Sequence, residues 1–483
     1  MNHIITYIIP ALIWIFTISI TIRLLLKKQT VTAMLAWLMV IYIFPGLGII
    51  AYLIFGEINL GKKHLTKFNK IKPKFLNWYR KFTENKVLIT EKTPLRYRPL
   101  IDLVQQRLTI PCAVGNELHI LNTPQDIMQS IIQDIHQATT SIHMVFYIWQ
   151  NGGLVEDVEK ALIQARRRGV SVKILLDSVG SRPFLKSHKI KELRSYGLEF
   201  EECLHANLLR MFFSRIDLRQ HRKIIVIDNH ISYTGSMNMV DPRYFKQSAD
   251  VGEWIDIMVR IVGPVSSILN SLHAWEWELE TNQVLPLPIP KEIQLSVEED
   301  NSHAVQVLAS GPGFSEELMC QALSQAIFLA RESISITSPY FVPNREIAEA
   351  LRIAAYRGVD IELILPKKND SLMADWASRT YFDDLLNAGV KIYQFDKGLL
   401  HTKSVLIDNR LALVGTVNMD VRSFLLNFEV MILVEDRSFA NEIYLLQEGY
   451  RADSELMDLK VWKARPAYHR IIEKLFFLFS PLL

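Results

Sequence analysis

His221-Arg-Lys-Ile-Ile-Val-Ile-Asp-Asn-His-Ile-Ser-Tyr-Thr-Gly-Ser-Met-Asn238 is answered 180 residues later by His401-Thr-Lys-Ser-Val-Leu-Ile-Asp-Asn-Arg-Leu-Ala-Leu-Val-Gly-Thr-Val-Asn418. In each copy His and Lys alternate with one residue, so on an extended chain both point to one face, and the run Ile224 to Ile227 supplies a core strand. Asp228-Asn229 reads as a turn and Ile231 to Thr234 as the returning strand. With Asn229 and His230 as a two-residue loop, His221 is expected opposite Asn238 and Lys223 opposite Ser236. The same register sets His401 opposite Asn418 and Lys403 opposite Thr416. Each copy then gathers one imidazole, one ammonium and short hydrogen-bonding groups into a small area.

The likeness extends outward. Ser141-Ile-His-Met-Val-Phe-Tyr-Ile-Trp matches Ser333-Ile-Ser-Ile-Thr-Ser-Pro-Tyr-Phe, Arg168-Gly-Val-Ser-Val-Lys-Ile-Leu-Leu matches Arg357-Gly-Val-Asp-Ile-Glu-Leu-Ile-Leu, and Gly197 answers to Gly389, at offsets of 192, 189 and 192. A domain of well over a hundred residues is therefore duplicated. Apolar runs alternate with helix-period segments, which argues for α/β layers. The drop in offset to 180 places 12 extra residues in the first copy within Leu204 to Gln220, a basic and aromatic-rich insert suited either to lipid contact or to helix packing.

A single copy holds a nucleophile without a separate proton donor, and two copies docked face to face supply both. One histidine attacks a phosphorus atom, the other protonates the departing alkoxide, and the lysines with the Asn and Ser/Thr groups stabilise the charge on the remaining oxygens. No repeated carboxylate cluster is present to hold a metal, so neither metal nor other cofactor is expected. Asp228 and Asp408 lie seven residues after their histidines, an odd spacing that takes them off the His/Lys face and suggests a structural role.

The 483 residues are about three times the ~150 that serve as a prior for one domain. Cys112, Cys203 and Cys320 show no metal-ligand spacing and predict no disulfide framework. The net charge of +3 conceals nine basic residues against one acid in residues 61–86; the remainder holds 45 basic and 50 acidic residues, a net of −5. Such a body lacks the positive field of a nucleic-acid binder. Residues 1–22 and 29–56 are charge-free, each run long enough to cross ~30 Å of hydrocarbon, so two membrane helices are expected. Arg23, Lys27 and Lys28 stand where a signal peptide would have its cleavage site. Phe68, Phe75, Trp78, Tyr79 and Phe82 among the following lysines suit a segment at headgroup level, with an ordinary solvated linker as the other reading.

The H-x-K-x4-D-x6-G-[ST]-x-N pattern, present twice, resembles the phospholipase D superfamily over residues 110–455, and the flanking text from Gly235 to Phe245 and from His401 to Phe424 resembles its bacterial cardiolipin synthases. The resemblance implies a catalytic set of His221, Lys223, Asp228, His401, Lys403 and Asp408. It adds Glu429 as an acid that orients a histidine, with Glu253 as its weaker counterpart in the first copy. The expected architecture is α/β: a membrane anchor (1–60), a basic juxtamembrane linker (61–109), two phospholipase D-like sandwich repeats (110–290 and 291–455) forming one pseudo-two-fold body, and an apolar tail (456–483). The implied function is phosphatidyl transfer between two phosphatidylglycerol molecules, giving cardiolipin and glycerol through a phosphatidyl-histidine. A phosphodiester hydrolase and an inactive membrane scaffold are the rivals. The implied partners are phosphatidylglycerol, cardiolipin and other membrane lipids, with self-association left open and no nucleic acid. The implied location is the inner membrane, multi-pass, with the catalytic body facing the cytoplasm because nine basic residues follow the second run against three after the first.

Overall fold

The computed structural model describes residues 2–27, 31–56, 61–85, 96–204, 217–293, 302–315 and 317–478. The repeats build one continuous sheet of fifteen strands. At its centre Cys112–Leu121 pairs antiparallel with His303–Ser310, joining the first strand of one repeat to the first strand of the other. Outward from the centre in the first repeat come Met258–Val262, Ile231–Gly235, Ile224–Ile227, Ser141–Phe146, Ser171–Asp177 and Glu199–Cys203. The second repeat mirrors this with Glu429–Glu435, Leu411–Gly415, Ser404–Ile407, Ser333–Thr337, Asp360–Pro366 and Lys391–Phe395, then adds the edge strand Ser454–Leu456. The matched order is what a gene-level duplication of one α/β unit produces.

The sequence landmarks fall at equivalent places. Helices Leu154–Arg167 and Arg345–Tyr356 both end at an Arg-Gly pair, where Gly169 and Gly358 take the left-handed conformation (φ 97° and 89°) that terminates a helix at little steric cost. The side chains of Arg168 and Arg357 then reach back to the carbonyls of Ala138 and Ala330, 3.2 and 3.0 Å away, tying the end of each helix to the segment that leads into the preceding strand. The apolar strands that follow, Ser171–Asp177 and Asp360–Pro366, are buried between layers of helices, as near-continuous aliphatic runs require.

Helix Val265–Thr281 is buried along nearly its whole length, and the segment expected at headgroup level packs on it. Phe68 and Phe75 stack on Trp275 with centroids 5.0 and 4.9 Å apart, and the Tyr79 hydroxyl lies 2.7 Å from Ser271 Oγ. These aromatics are therefore core residues of the body. Lys74 reaches Glu278 on helix Val265–Thr281 at 2.6 Å, while Lys70, Arg80 and Lys81 remain exposed. The C-terminal tail docks likewise: Phe476 and Phe477 pack on Trp376 and Tyr381, and Arg465 bridges Asp383 and Glu473.

The expectation of two membrane-spanning helices is overturned. Among the described residues no helix is long and apolar enough to cross a membrane. The second run breaks at Pro45-Gly46 into helices Val31–Ile43 and Leu47–Phe55, roughly 20 and 14 Å long at 1.5 Å per residue. The first run forms helix Asn2–Leu25, which contains Pro10 and carries Thr17, Ser19 and Thr21, each bonded to a carbonyl four residues back. The described residues up to Lys67, together with Asp217 and Leu218, form one compact unit, with Ile20, Leu24, Ile41, Ile49 and Tyr52 as its small core. The aromatic part of the Leu204–Gln220 insert lies outside the described residues.

Candidate active site

The two His-x-Lys segments end in short, wholly buried strands, Ile224–Ile227 and Ser404–Ile407, each held antiparallel between the core strand Ser141–Phe146 or Ser333–Thr337 of its repeat and the returning strand. The turn differs from the expected one. Asp228 and Asn229 both take positive φ (51° and 57°), His230 N bonds Ile227 O at 3.0 Å, and the loop has three residues, with Ile227 opposite Ile231. The second copy repeats this at Asp408 and Asn409 (53° and 46°), with Ile407 opposite Leu411. The ladders close at Ile224–Thr234 and Ser404–Val414, so the expected His221–Asn238, Lys223–Ser236, His401–Asn418 and Lys403–Thr416 partners are displaced by one residue. Asx residues adopt the left-handed conformation at low cost, and two in succession lengthen the loop.

What orders the histidines is a crossing of the two repeats. His221 N donates to Phe428 O at 3.0 Å, and His401 N donates to Ile255 O at 2.9 Å, so each His-x-Lys chain is docked by its backbone on the other repeat. The next acid along each acceptor chain then meets the ring: Glu429 Oε2 is 2.9 Å from His221 Nδ1, and Asp256 Oδ1 is 2.6 Å from His401 Nδ1. Both carboxylates are buried and both rings nearly so. Thr416 donates to Glu429, and Ser236 bonds Asp256, so the hydroxyls expected near the lysines brace the acids instead. Tyr147 packs on His221 and Trp254 on His401, with ring centroids 5.0 and 4.4 Å apart.

Asp256 is the residue that sequence reasoning missed, and Glu253, expected in its place, has an exposed side chain, while its carbonyl accepts from Leu399 N at 2.9 Å. A signal existed. Asp256-Ile-Met-Val parallels Glu429-Val-Met-Ile, and the structure aligns them, since Gly235 pairs with Met258 as Gly415 pairs with Met431. The acids lie 35 and 28 residues after their own histidines, which hid the match.

Lys223 and Lys403 are buried, each with Nζ donating to the carbonyl of its own histidine at 2.8 and 2.5 Å. Burial pulls the Lys223 ammonium down to about 8, with Glu429 and Asp256 opposing; burial and the neighbouring Lys223 charge pull Lys403 well below the ordinary lysine range. Burial likewise lowers both imidazoles to about 4, against the pull of their carboxylates. Asp256 is raised by burial, but the His401 ring and Lys403 outweigh this and bring it to about 2. Neutral rings with Nδ1 committed to a carboxylate leave Nε2 as the reactive nitrogen. A cavity of about 520 Å³ is lined by His221 and His401 together with Asn238, Asn418, Arg219 and Arg422.

Asp228 and Asp408 lie elsewhere. The Asp228 carboxylate accepts the backbone N–H groups of Thr139, Thr140 and Ser141 and both threonine hydroxyls, at 2.7 to 2.9 Å. Asp408 accepts those of Arg331, Glu332 and Ser333, with Tyr97 and Arg96. Each aspartate staples its turn to the start of a neighbouring strand. Among the described residues no cluster of His, Cys, Asp and Glu suits a metal ion.

Residues 131–263 and 323–445, the two repeats, match the family described as "Cardiolipin synthase, PLD-like domain". The chain belongs to that family. Residues 12–57 match "Phospholipase_D-nuclease N-terminal". Cardiolipin synthase A of Yersinia pseudotuberculosis (serotype O:3, strain YPIII) is 47% identical over 470 residues, 97% of each chain, as is Cardiolipin synthase A of Yersinia pestis. The crystal structure of phosphatidylserine synthase from Haemophilus influenzae Rd KW20 covers 79% of this chain and 98% of its own with a TM-score of 0.58 at 16% identity, a likeness of fold.

Proposed function

We propose that this cardiolipin synthase family member makes cardiolipin by transferring a phosphatidyl group between two phosphatidylglycerol molecules. The observation that carries the reading is the pair of histidines from different repeats, each with Nδ1 held by a carboxylate of the opposite repeat and both lining one cavity, with a buried lysine bonded to the carbonyl of each. In the first step Nε2 of one histidine attacks the donor's phosphorus, a P–N bond forms, and the P–O bond to glycerol breaks. The other histidine gives its proton to the leaving oxygen. In the second step the headgroup hydroxyl of another phosphatidylglycerol attacks, its proton passes to that second histidine, and the P–N bond breaks to release cardiolipin.

Lys223 and Lys403 stabilise the oxygens on phosphorus, and the arriving phosphodiester in turn raises both lysines and the acid histidine from their depressed values. One phosphodiester replaces another, so no nucleotide is consumed and direction follows mass action. Asp228 and Asp408 support the turns without moving protons, and no metal is needed for charge stabilisation.

The substrates place the enzyme at a membrane. Leu12, Trp14, Ile15, Phe16, Ile18 and Ile22 expose apolar side chains in the amino-terminal unit, a patch suited to lipid contact. The exposed basic residues Lys70, Arg80 and Lys81 suit the anionic cytoplasmic leaflet.

The test is incubation of the purified chain with labelled phosphatidylglycerol. Cardiolipin and free glycerol in equal amounts are expected. Phosphatidic acid as the main product makes the protein a hydrolase, and absence of turnover makes it a scaffold.

A further inference from the structure

The proposed reaction brings two anions into one cavity. When the acceptor arrives, the phosphatidyl group already on histidine carries a negative phosphoryl group, and the acceptor carries a phosphodiester of its own. The two buried lysines are placed for the first of these, since each is tethered by its Nζ to the carbonyl of its own histidine. Transfer to water or to glycerol involves only that one anion. Transfer to phosphatidylglycerol calls for a second cationic position within headgroup reach, and like charges left uncompensated in a partly desolvated site repel strongly.

Two guanidinium groups line the same cavity, Arg219 and Arg422. Both act electrostatically on the Tyr147 hydroxyl, and Arg219 hydrogen-bonds it, so the pair flanks the ring that packs on His221. Asp420, beside them in the cavity wall, caps the short helix Val421–Leu425 through Ser423 N at 2.7 Å and also feels the Arg422 charge, as the buried Asp177 feels that of Arg219.

The pair breaks the pseudo-symmetry of the site. Arg219 stands two residues before His221, whereas the residue two before His401 is Leu399, fully buried. Arg422 stands four residues after Asn418, whereas Pro242 stands four after Asn238, and the adjacent Arg243 is bound to Asp241 at 2.6 Å. On the His401 side the cavity's cation is Lys246, paired with Asp370 at 2.9 Å, and the ring against the histidine is the apolar face of Trp254. A reaction centre with two guanidinium groups on the His221 side and a single ammonium, Lys246, on the other is suited to two substrates that differ in role. A planar guanidinium also matches phosphate oxygens bidentately, where an ammonium acts as a point charge.

We infer that Arg219 and Arg422 form a second phosphate subsite, which holds the phosphodiester of the acceptor lipid while its headgroup hydroxyl reaches the phosphatidyl-histidine. The inference rests on the cardiolipin synthase reading and assigns to these residues the choice of acceptor. The transfer is the second step above: a P–O bond forms, the P–N bond breaks, and the hydroxyl proton passes to the other histidine. The arginines take no part in that exchange of bonds.

The experiment compares two acceptors in one preparation. Full-length protein in phosphatidylglycerol vesicles is given radiolabelled glycerol; label entering phosphatidylglycerol reports transfer to an uncharged acceptor, and cardiolipin reports transfer to the anionic lipid. For Arg219→Gln and Arg422→Gln, singly and together, the ratio of cardiolipin to glycerol exchange is expected to fall at least tenfold, with partial recovery in the Arg→Lys variants. An unchanged ratio, whether both activities persist or both decline in proportion, overturns the subsite. Should the glutamine variants give neither product, the ratio is read from the lysine variants, and an unaltered ratio there overturns it as well. Parent enzyme that exchanges glycerol yet forms no cardiolipin refutes the functional reading itself, an outcome distinct from failure of the subsite.

Discussion

Glu429, in the second repeat, hydrogen-bonds Nδ1 of His221 in the first, while the acid nearest in kind from the first repeat, Asp256, does the same for His401. Neither repeat therefore contains a complete site. Each carboxylate fixes the tautomer and orientation of a ring across the repeat boundary and stabilises the imidazolium that forms when that ring accepts a proton. Glu429→Gln and Asp256→Asn are expected to lower kcat by at least ~10²-fold each, close to the loss from His221→Ala or His401→Ala. Glu253→Gln should behave like the parent, because its side chain is exposed. Steady-state turnover on phosphatidylglycerol vesicles checks this, and near-parent activity in either acid variant would sink the crossed arrangement.

Burial of the two lysines makes the reaction sensitive to alkali. Lys223 is pulled down to about 8 and Lys403 also lies well below an ordinary lysine, so they lose protons early as the pH rises. Two neighbouring ammonium groups titrate as a pair. In the empty enzyme the cationic floor is intact below this range and lost above it, so kcat/KM should decline no later than about pH 8, whereas kcat, which reports the complex with the anionic lipid, should hold to higher pH. A kcat/KM profile flat to the ordinary lysine range near ~10.4 would contradict this.

The His-x-Lys hairpins, the duplicated α/β order and the Arg-Gly helix ends were legible in the sequence because each rests on local periodicity or on a backbone conformation that few residues adopt. The register of the hairpins was not, since Asp228-Asn229 suits a two-residue loop as readily as the three-residue loop that forms. The aromatics of the segment 61–109 misled for another reason: Phe68, Phe75 and Tyr79 at helical spacing look alike whether they meet lipid or helix Val265–Thr281. Charge-free length was likewise a poor guide to spanning, because Pro45-Gly46 divides the second run. Asp256 stayed hidden because it lies 35 residues after its own histidine where Glu429 lies 28 after its own, so a search at matched spacing passes over it.

The two motif aspartates should separate stability from chemistry. Asp228 accepts five hydrogen bonds, and Asp228→Ala leaves their donors without partners, at a cost of about 1–3 kcal/mol or more. Its pKa is lowered to about 2: burial opposes ionisation, but the hydrogen bonds prevail. A depressed carboxylate stabilises the fold above its unfolded pKa near ~3.8 and loses that contribution as the pH falls toward about 2. The stability gap between parent and variant, measured by denaturant unfolding, should therefore narrow over that interval. Folded Asp228→Ala protein should retain far more turnover than His221→Ala; equal losses would place Asp228 in the chemistry.

Charge handling by Lys223 and Lys403 also predicts that turnover persists in EDTA once vesicle integrity is controlled. Activity lost to the chelator and restored only by one divalent ion would contradict the assignment of the lysines as the groups that stabilise the phosphoryl oxygens.

Arg222, between His221 and Lys223, marks the point where the two motifs part company. Its fully buried guanidinium donates to Glu429 O at 3.0 Å and Ser310 O at 2.9 Å, both in the second repeat, pairs with Glu276, and lies 5.0 Å from the ring of Phe314. The matching Thr402 is smaller and uncharged, with its hydroxyl 3.2 Å from Ile255 O of the other repeat and 3.0 Å from the Tyr450 hydroxyl. Arg222 thus holds the backbone of the very residue whose carboxylate orients His221. Arg222→Met should cost about 3–5 kcal/mol, because it strands Glu276 as a buried charge without its partner. The double variant Arg222→Met/Glu276→Leu removes both charges and should recover most of that stability. Its turnover should not recover, since Glu429 still lacks its anchor and a displacement of about 1 Å at a reacting group costs as much as ~10²-fold. Unfolding and turnover measured on the same three proteins decide the matter: if the double variant regained both, Arg222 would be a structural bridge alone, and the position of Glu429 would depend on the sheet rather than on this side chain.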